Sequence, residues 1–390
     1  MQPINIGIIG TGVICDSYLR GALGVPANEG RPAAAPSRII NIKSVADIRP
    51  EAAKAKAEAF GVGSDTVDGL LADPEISIVL NLTIPLAHAE VNRAIVAAGK
   101  HAYAEKPLCA SFGEAQALLA QAAKAGVRVG GAPDTFLGAG HQACRRIIDS
   151  GRIGKVISGS ATVLSHGMEH WHPNPNFYFM KGGGPILDMG PYYVTDLVQL
   201  LGPVARVAAT TCIGNPVRTI TSQPRAGETI DVDIETTATA LLEFVSGATI
   251  TLAASWDVWK NKRLPFELYG VDGSLIVPDP NFFGGTIEIS DKGGDWTPVD
   301  ISAHPFHTPN RTMRDGREVA DYRIIGLLDM AAAIQQGRPH RASGELTTHV
   351  LEVLEAVGTA GAEKRWVDLT TTCERPAPVP QGAGEEVFLA

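Results

Sequence analysis

No stretch of this sequence approaches the roughly 18 consecutive apolar residues that a membrane-spanning helix requires, so no membrane segment is expected. Cysteine is scarce: Cys15, Cys109, Cys144, Cys212 and Cys373 make an odd total of five, and no two stand at Cys-x-x-Cys spacing. That excludes a disulfide framework and a cysteine zinc site, and leaves the thiols as small apolar side chains in a reducing compartment. Positive charge is in deficit, with 33 Lys and Arg against 42 Asp and Glu and a net charge of −9. Such a balance argues against nucleic acid or an anionic membrane as partner, and any basic site must be local. The start, Met1-Gln2-Pro3-Ile4, lacks the basic residues and small-residue cleavage site of a secretory leader, which makes the cytoplasm the expected location. Internal repeats and low-complexity blocks are also missing.

What is present is a globular composition, 45% hydrophobic and 19% charged, in a chain of 390 residues. That length exceeds one ordinary core, so two domains are expected, 1–132 and 133–390. In the first, short apolar runs at 4–9, 39–46, 76–82, 101–104 and 127–131 alternate with amphipathic stretches at 17–23, 50–60, 88–98 and 114–125. This alternation predicts βαβ units and a parallel sheet, with a Pro/Ala/Gly-rich loop over 24–36. Beyond residue 150 the rhythm turns strand-rich, at 156–164, 204–211, 236–244, 248–254, 264–271, 274–277 and 286–289. Hairpin turns at 245–248 and 271–274 point to an open, mostly antiparallel sheet. Helices are expected at 145–150, 192–201, 322–336 and 345–362, and the Pro/Gly-containing tail after Leu369 reads as loosely packed.

The strongest local signal is Gly7-Ile8-Ile9-Gly10-Thr11-Gly12-Val13-Ile14-Cys15, between an apolar strand and a helix. In that context Gly10 permits the tight turn and Gly12 a close backbone approach to a pyrophosphate at the helix N-terminus. Cys15 stands where a third small residue is usual. Asp47 ends the second strand, where a carboxylate can accept ribose hydroxyls and repel a 2′-phosphate, favouring NAD over NADP. Arg49 stands close enough to host such a phosphate instead, and Asp47 also reads as a plain turn residue. Two further strand ends, Asn81-Leu82-Thr83-Ile84-Pro85-Leu86-Ala87-His88 and Glu105-Lys106-Pro107, face the same crevice.

Those motifs, with Gly182-Gly183-Gly184-Pro185-Ile186-Leu187-Asp188-Met189-Gly190-Pro191-Tyr192, resemble the glucose–fructose oxidoreductase / inositol dehydrogenase / MocA-like oxidoreductases from residue 4 to about 370. The resemblance implies an N-terminal Rossmann domain, a doubly wound parallel sheet, and a C-terminal α/β domain with an open sheet used for homo-oligomerisation as a dimer or tetramer. It implies bound NAD and substrates among sugars, inositols and their derivatives. It implies that Gly10, Thr11, Gly12, Val13, Ile14, Asp47, Arg49, Asn81, Thr83, Pro85, His88, Glu105 and Lys106 surround the cofactor. Lys106, Asp188 and the residue four later would form the catalytic set, and where many members carry histidine this chain carries Tyr192.

Oxidising an alcohol requires its proton to be removed as the C–H bond breaks. A helix beginning near Gly190 would put Tyr192 in its first turn, where the dipole and the Lys106 ammonium favour the phenolate. Tyr192 is then the proton acceptor, Lys106 polarises the hydroxyl and Asp188 orients the sugar. Asp188 as a mere helix cap is the competing reading. The segment Ser165-His166-Gly167-Met168-Glu169-His170-Trp171-His172-Pro173-Asn174 invites a metal, yet the prolines here break the helix that such spacing needs. Trp171 and His172 read instead as a loop over the substrate pocket. Lys260, Lys262 and Arg263, joined by Lys181, form a basic patch suited to an anionic substituent, or a solvated loop. Arg323 and Asp329 fall on a late helix that could reach the crevice. Three functions fit these residues: a sugar or cyclitol dehydrogenase, a glycosidase that oxidises its substrate transiently with NAD, and a non-catalytic NAD-binding regulator.

Overall fold

The computed structural model describes residues 2–28, 35–313 and 315–389, so 29–34 of the expected 24–36 loop lie outside the described residues. The first part runs β1 (Ile4–Ile9), α1 (Val13–Leu23), β2 (Ile40–Ala46), α2 (Pro50–Phe60), β3 (Gly63–Ser64), α3 (Val67–Ala72), β4 (Ile78–Asn81), α4 (His88–Ala97), β5 (His101–Ala104), α5 (Phe112–Ala125) and β6 (Val129–Gly131). Its six strands are all parallel, in the order β3-β2-β1-β4-β5-β6. The order reverses between β1 and β4, and ligands bind such sheets beyond the strand ends at that switch. All four residues of β4 are buried, as a sheet covered by helices on both faces demands.

The second part follows α6 (Ala139–Asp149) with β7 (Val156–Leu164), α7 (Gly184–Leu201), β8 (Val204–Cys212) and a small ribbon of β9 (Val217–Thr219) and β10 (Thr229–Asp231). Next come β11 (Thr237–Phe244), β12 (Thr249–Ser255), β13 (Phe266–Gly270), β14 (Gly273–Val277), β15 (Glu288–Asp291), β16 (Thr297–Pro298) and a second ribbon, β17 (Arg311–Thr312) with β18 (Glu318–Val319). The chain ends with α8 (Ile325–Gln336), α9 (Gly344–Glu363) and β19 (Val367–Asp368). Nine strands form one sheet, β16-β15-β14-β13-β7-β12-β11-β8-β19, antiparallel except for β7 beside β12. Strand β11 alternates between buried and accessible residues, because α7 and α9 cover one face and leave the other open. Among the described residues no helix is long and apolar enough to cross a membrane.

Three expectations need correction. Helix α7 starts at Gly184, two turns before Tyr192. Pro185 suits a first turn, whereas Pro191 inside the helix mimics a helix start when read as sequence. Helix α6 starts at Ala139 rather than 145, and its glycines serve packing: a Cβ on Gly138 would stand 2.2 Å from the Phe283 carbonyl oxygen. The tail after Leu369 is not loose. Arg145, Arg146 and Arg341 donate to the carbonyls of Pro376, Val379 and Ala377, while Val379 and Phe388 are wholly buried.

Candidate active site

At the β1–α1 turn Gly10 has φ +101°, and a Cβ there would stand 2.6 Å from the Leu82 carbonyl, so only glycine fits. Gly12 is the N-cap of α1 without a side-chain cap, and nothing lies within 4 Å of the place a Cβ would take. The first N–H groups of α1 are thereby left open toward that space, as an anion-binding helix start requires. Cys15 is buried behind them, and burial pushes its thiol up to about 12, so it packs and does not react. Asp47 Oδ2 accepts from Thr11 N at 2.9 Å and Thr11 Oγ1 at 2.8 Å, and its Oδ1 accepts from Arg49 N at 3.0 Å. Burial opposes the Asp47 charge, but these bonds outweigh it and hold the carboxyl below its usual range. Asp47 thus secures the turn and still has acceptor capacity to offer a ribose. Val13 is 93% exposed, and Ile48, Ile84 and Leu86 are exposed at the neighbouring strand ends, while Ile14 packs against the core. Open N–H groups, a fixed carboxylate and an apolar rim fit a dinucleotide.

Several other expected cofactor residues are tied by hydrogen bonds into the wall of the crevice. Asn81 Nδ2 donates to Asn92 Oδ1 at 2.9 Å, and Asn81 Oδ1 accepts from Thr83 N and Oγ1. His88 is buried, with its two ring nitrogens on the carbonyls of Pro107 and Thr83. Pro85 opens a 3-10 turn, and Arg49 stays exposed. Glu105 accepts from Tyr18 Oη at 3.0 Å and from Lys106 N at 2.9 Å.

From the end of β5, Lys106 reaches across to α7. Its Nζ donates to Asp188 Oδ1 and to the Asp188 carbonyl, both at 2.8 Å, and lies 5.4 Å from the Tyr192 ring centre. Pro191, inside the same helix, has no N–H to give the Leu187 carbonyl. Burial works against the Lys106 ammonium, but Asp188 first, then Tyr192 and Glu105, hold its pKa above the ordinary lysine range. Lys106 therefore stays a cation, a donor that polarises and does not act as base. Lys106, Asp188 and Tyr192 are brought together, but Tyr192 in the third turn of α7 receives no help from the helix N-terminus.

In the dipole's place stands Arg323, just before α8, whose Nη1 donates to Tyr192 Oη at 2.9 Å. Its Nη2 donates to Asn281 Oδ1 at 2.9 Å, and its Nε lies 3.5 Å from Asp321 Oδ1. Burial opposes the guanidinium charge, and Tyr192 and Asp321 more than restore it. Asp329, expected alongside, is fully buried and pairs instead with Arg338 and Arg341. Tyr178 is a further neighbour: burial pushes its phenol up to about 12, with Asp188, Lys106 and Tyr192 all within electrostatic reach. No motif marks Arg323 or Tyr178. Arg323 is signalled only by its place near a late helix and Tyr178 only by residue type, because the Arg323 contact spans 131 positions and Tyr178 sits in a short 3-10 turn.

The loop after β7 holds Trp171 and His172 beside this group. The His172 ring meets Tyr178 and Trp171 edge-on, each at 5.4 Å between centres, and Trp171 is 48% exposed. His166 stacks on Trp259 at 3.3 Å, and Glu169 accepts from buried Arg218 at 2.7 Å. Among the described residues no group of three or more His, Cys, Asp and Glu is placed to hold a metal. Lys181, Lys260, Lys262 and Arg263 are all exposed, and no side-chain bond joins any of them to Lys106, Asp188 or Tyr192.

Comparison with known proteins matches both halves of the chain. Residues 4–131 match the model of the oxidoreductase family with an NAD-binding Rossmann fold, and residues 141–276 match that of the GFO/IDH/MocA C-terminal domain. Levoglucosan dehydrogenase of Pseudarthrobacter phenanthrenivorans is 26% identical over 95% of this chain and 99% of its own length. Inositol 2-dehydrogenase of Rhizobium meliloti is 25% identical, covering 94% and 100% respectively. Among solved structures, a levoglucosan dehydrogenase complex with NADH superposes with a TM-score of 0.77 at 23% identity, over 95% of this chain and 100% of that one. An oxidoreductase domain protein from Kribbella flavida does so with a TM-score of 0.77 at 22% identity, over the same shares. With both halves matched in order and an NAD-binding Rossmann domain at its head, the chain belongs to the GFO/IDH/MocA oxidoreductase family.

Proposed function

We propose that the protein is an NAD(H)-dependent oxidoreductase that acts at a secondary hydroxyl of a sugar, cyclitol or sugar derivative, with residues 1–132 holding the cofactor and 133–390 the substrate. The observation that carries this reading is the Lys106 ammonium, 2.8 Å from Asp188 Oδ1 and 5.4 Å from the Tyr192 ring centre, beside an open dinucleotide crevice. Gly10, Thr11, Gly12 and Asp47 would hold NAD, which when bound supplies the hydride acceptor or donor. Lys106 polarises the reacting oxygen, Asp188 fixes Lys106 and a neighbouring hydroxyl, and Tyr192 Oη takes or gives the proton. Trp171 and His172 border the site through Tyr178, where a ring face suits the C–H face of a sugar. Lys181, Lys260, Lys262 and Arg263 carry no bond to this group, so an anionic substituent is not part of the proposal. The open face of the nine-stranded sheet, where Leu241 and Tyr269 are 42% and 36% exposed, is read as the surface through which copies pair.

The test is a panel of sugars, cyclitols and glycosides with NAD, recording both absorbance of NADH and products. Net NADH with a carbonyl product supports a dehydrogenase, and Tyr192→Phe should then lower kcat by about a hundredfold or more. Aglycone release without net NADH would reassign the same residues to transient oxidation in glycoside cleavage. NAD binding with no turnover across the panel would point to the regulatory reading.

A further inference from the structure

We infer that Arg323 is a positioning residue for proton transfer, fixing Tyr192 so that the face of its oxygen turned away from the guanidinium is the one that meets the substrate. The inference rests on the reading of Tyr192 as the proton-transfer group, and adds to it the source of its orientation. A guanidinium has donors only and no lone pair to accept with. With Arg323 Nη1 donating to Tyr192 Oη at 2.9 Å, the phenol's own hydrogen cannot point at Arg323. The proton at Oη is therefore exchanged on another side of the oxygen, and it cannot be relayed onward through Arg323.

The guanidinium is itself immobilised at each end. Nη2 donates to Asn281 Oδ1 at 2.9 Å and to the Asn281 carbonyl at 3.3 Å, while Nε faces Asp321 Oδ1 at 3.5 Å. The backbone that carries it is pinned as well, since Asp134 Oδ2 accepts from Ile324 N at 3.2 Å and Gly326 N at 2.9 Å. Planar Arg323 thus presents one fixed donor to one fixed oxygen, a geometry that an amine on a flexible stem does not reproduce. When a substrate hydroxyl gives its proton to Tyr192, one O–H bond breaks on the substrate and one forms at Oη. Arg323 keeps its own donor on Oη throughout, so the oxygen is held in one place while that proton arrives. Lys106, 5.4 Å from the same ring, is held by Asp188 and bonds no phenol oxygen, so the two cations divide the work.

The experiment compares Arg323→Met, Arg323→Lys, Tyr192→Phe and the Tyr192→Phe/Arg323→Met pair, using the substrate found in the panel and NADH binding followed by its fluorescence. Arg323→Met should lower kcat by about a hundredfold, the scale of one lost charge-stabilising donor, with KM and NADH affinity within about threefold of the parent. Arg323→Lys should recover about tenfold of that loss, and the double variant should be no slower than Tyr192→Phe alone. A kcat for Arg323→Met within threefold of the parent, a Lys variant no better than Met, or additive losses in the pair would each overturn the inference. Should Arg323→Met fail to fold, Arg323→Lys and Asn281→Ala decide: the latter must lower kcat while leaving NADH affinity unchanged. A normal rate for Tyr192→Phe would sink the reading of Tyr192 itself, whereas an inactive Tyr192→Phe beside a normal Arg323→Met sinks only the role of Arg323.

Discussion

The two ends of the crevice are built from different materials. At the dinucleotide end the working groups are largely main chain: a glycine turn, the bare start of α1, and one carboxylate tied to them through Thr11. At the other end they are charged and phenolic side chains from three separate segments, after β5, on α7 and before α8, which neutralise one another in a partly buried group. The first kind of site is set by local backbone conformation. The second exists only after distant elements have packed, and each group depends on the charge of the next.

That contrast can be broken at several points. Lys106→Ala should have the largest effect, about a thousandfold in kcat with NADH affinity nearly intact, because it removes a charge from the side-chain end alone. Stopped-flow rates beside NADH titrations check it, and a parallel loss of cofactor affinity would show that the ends are not separable. Next comes Asp134, whose carboxyl burial pushes up to about 6 against an unfolded value near 3.8. A raised carboxyl pKa favours the folded state fully below the unfolded value, and that advantage is lost as pH rises from about 4 to about 6. The change is on the order of 3 kcal/mol, about a hundredfold in the unfolding constant. Asp134→Asn keeps an acceptor for the amides of α8 and should flatten this slope in denaturant titrations across that range.

Asp47→Ser tests the other end with a smaller expected effect. The ratio of kcat/KM for NAD over NADP should fall by about tenfold while kcat with NAD changes little, since a ribose contact, a repulsion and the bonds to the turn are lost but no group at the reacting atoms is. An unchanged ratio would leave Asp47 as a turn residue. Smallest of all, Lys260→Ala/Lys262→Ala/Arg263→Ala should alter kcat/KM for a neutral substrate by less than about threefold, as exposed charges far from the reacting atoms do. A larger loss would restore the basic patch to the substrate site.

The same contrast explains what could be read in advance. The parallel sheet, the glycine turn and the ends of β4 and β5 follow from periodicity and from neighbours a few residues apart, and they stand where expected. The start of α7 did not, because Pro191 looks like a helix boundary yet sits inside the helix. The tail after Leu369 looked loose because its partners are arginines on α6 and the approach to α9, more than 30 positions away. The family resemblance supplied Lys106 and Asp188, but its pattern has no place for Arg323, whose importance lies in a hydrogen bond across 131 residues.

One of those tail contacts bears on how the molecule can move. Glu385 accepts from Ser37 Oγ and Arg38 N, both at 2.7 Å, where the chain enters β2. The last turn of the polypeptide is therefore stitched to the nucleotide-binding sheet, while the preceding residues are gripped by α6. A hinge between two halves normally swings on a single crossing; here a second strap spans the joint. Wide opening between the halves would have to undo that stitch.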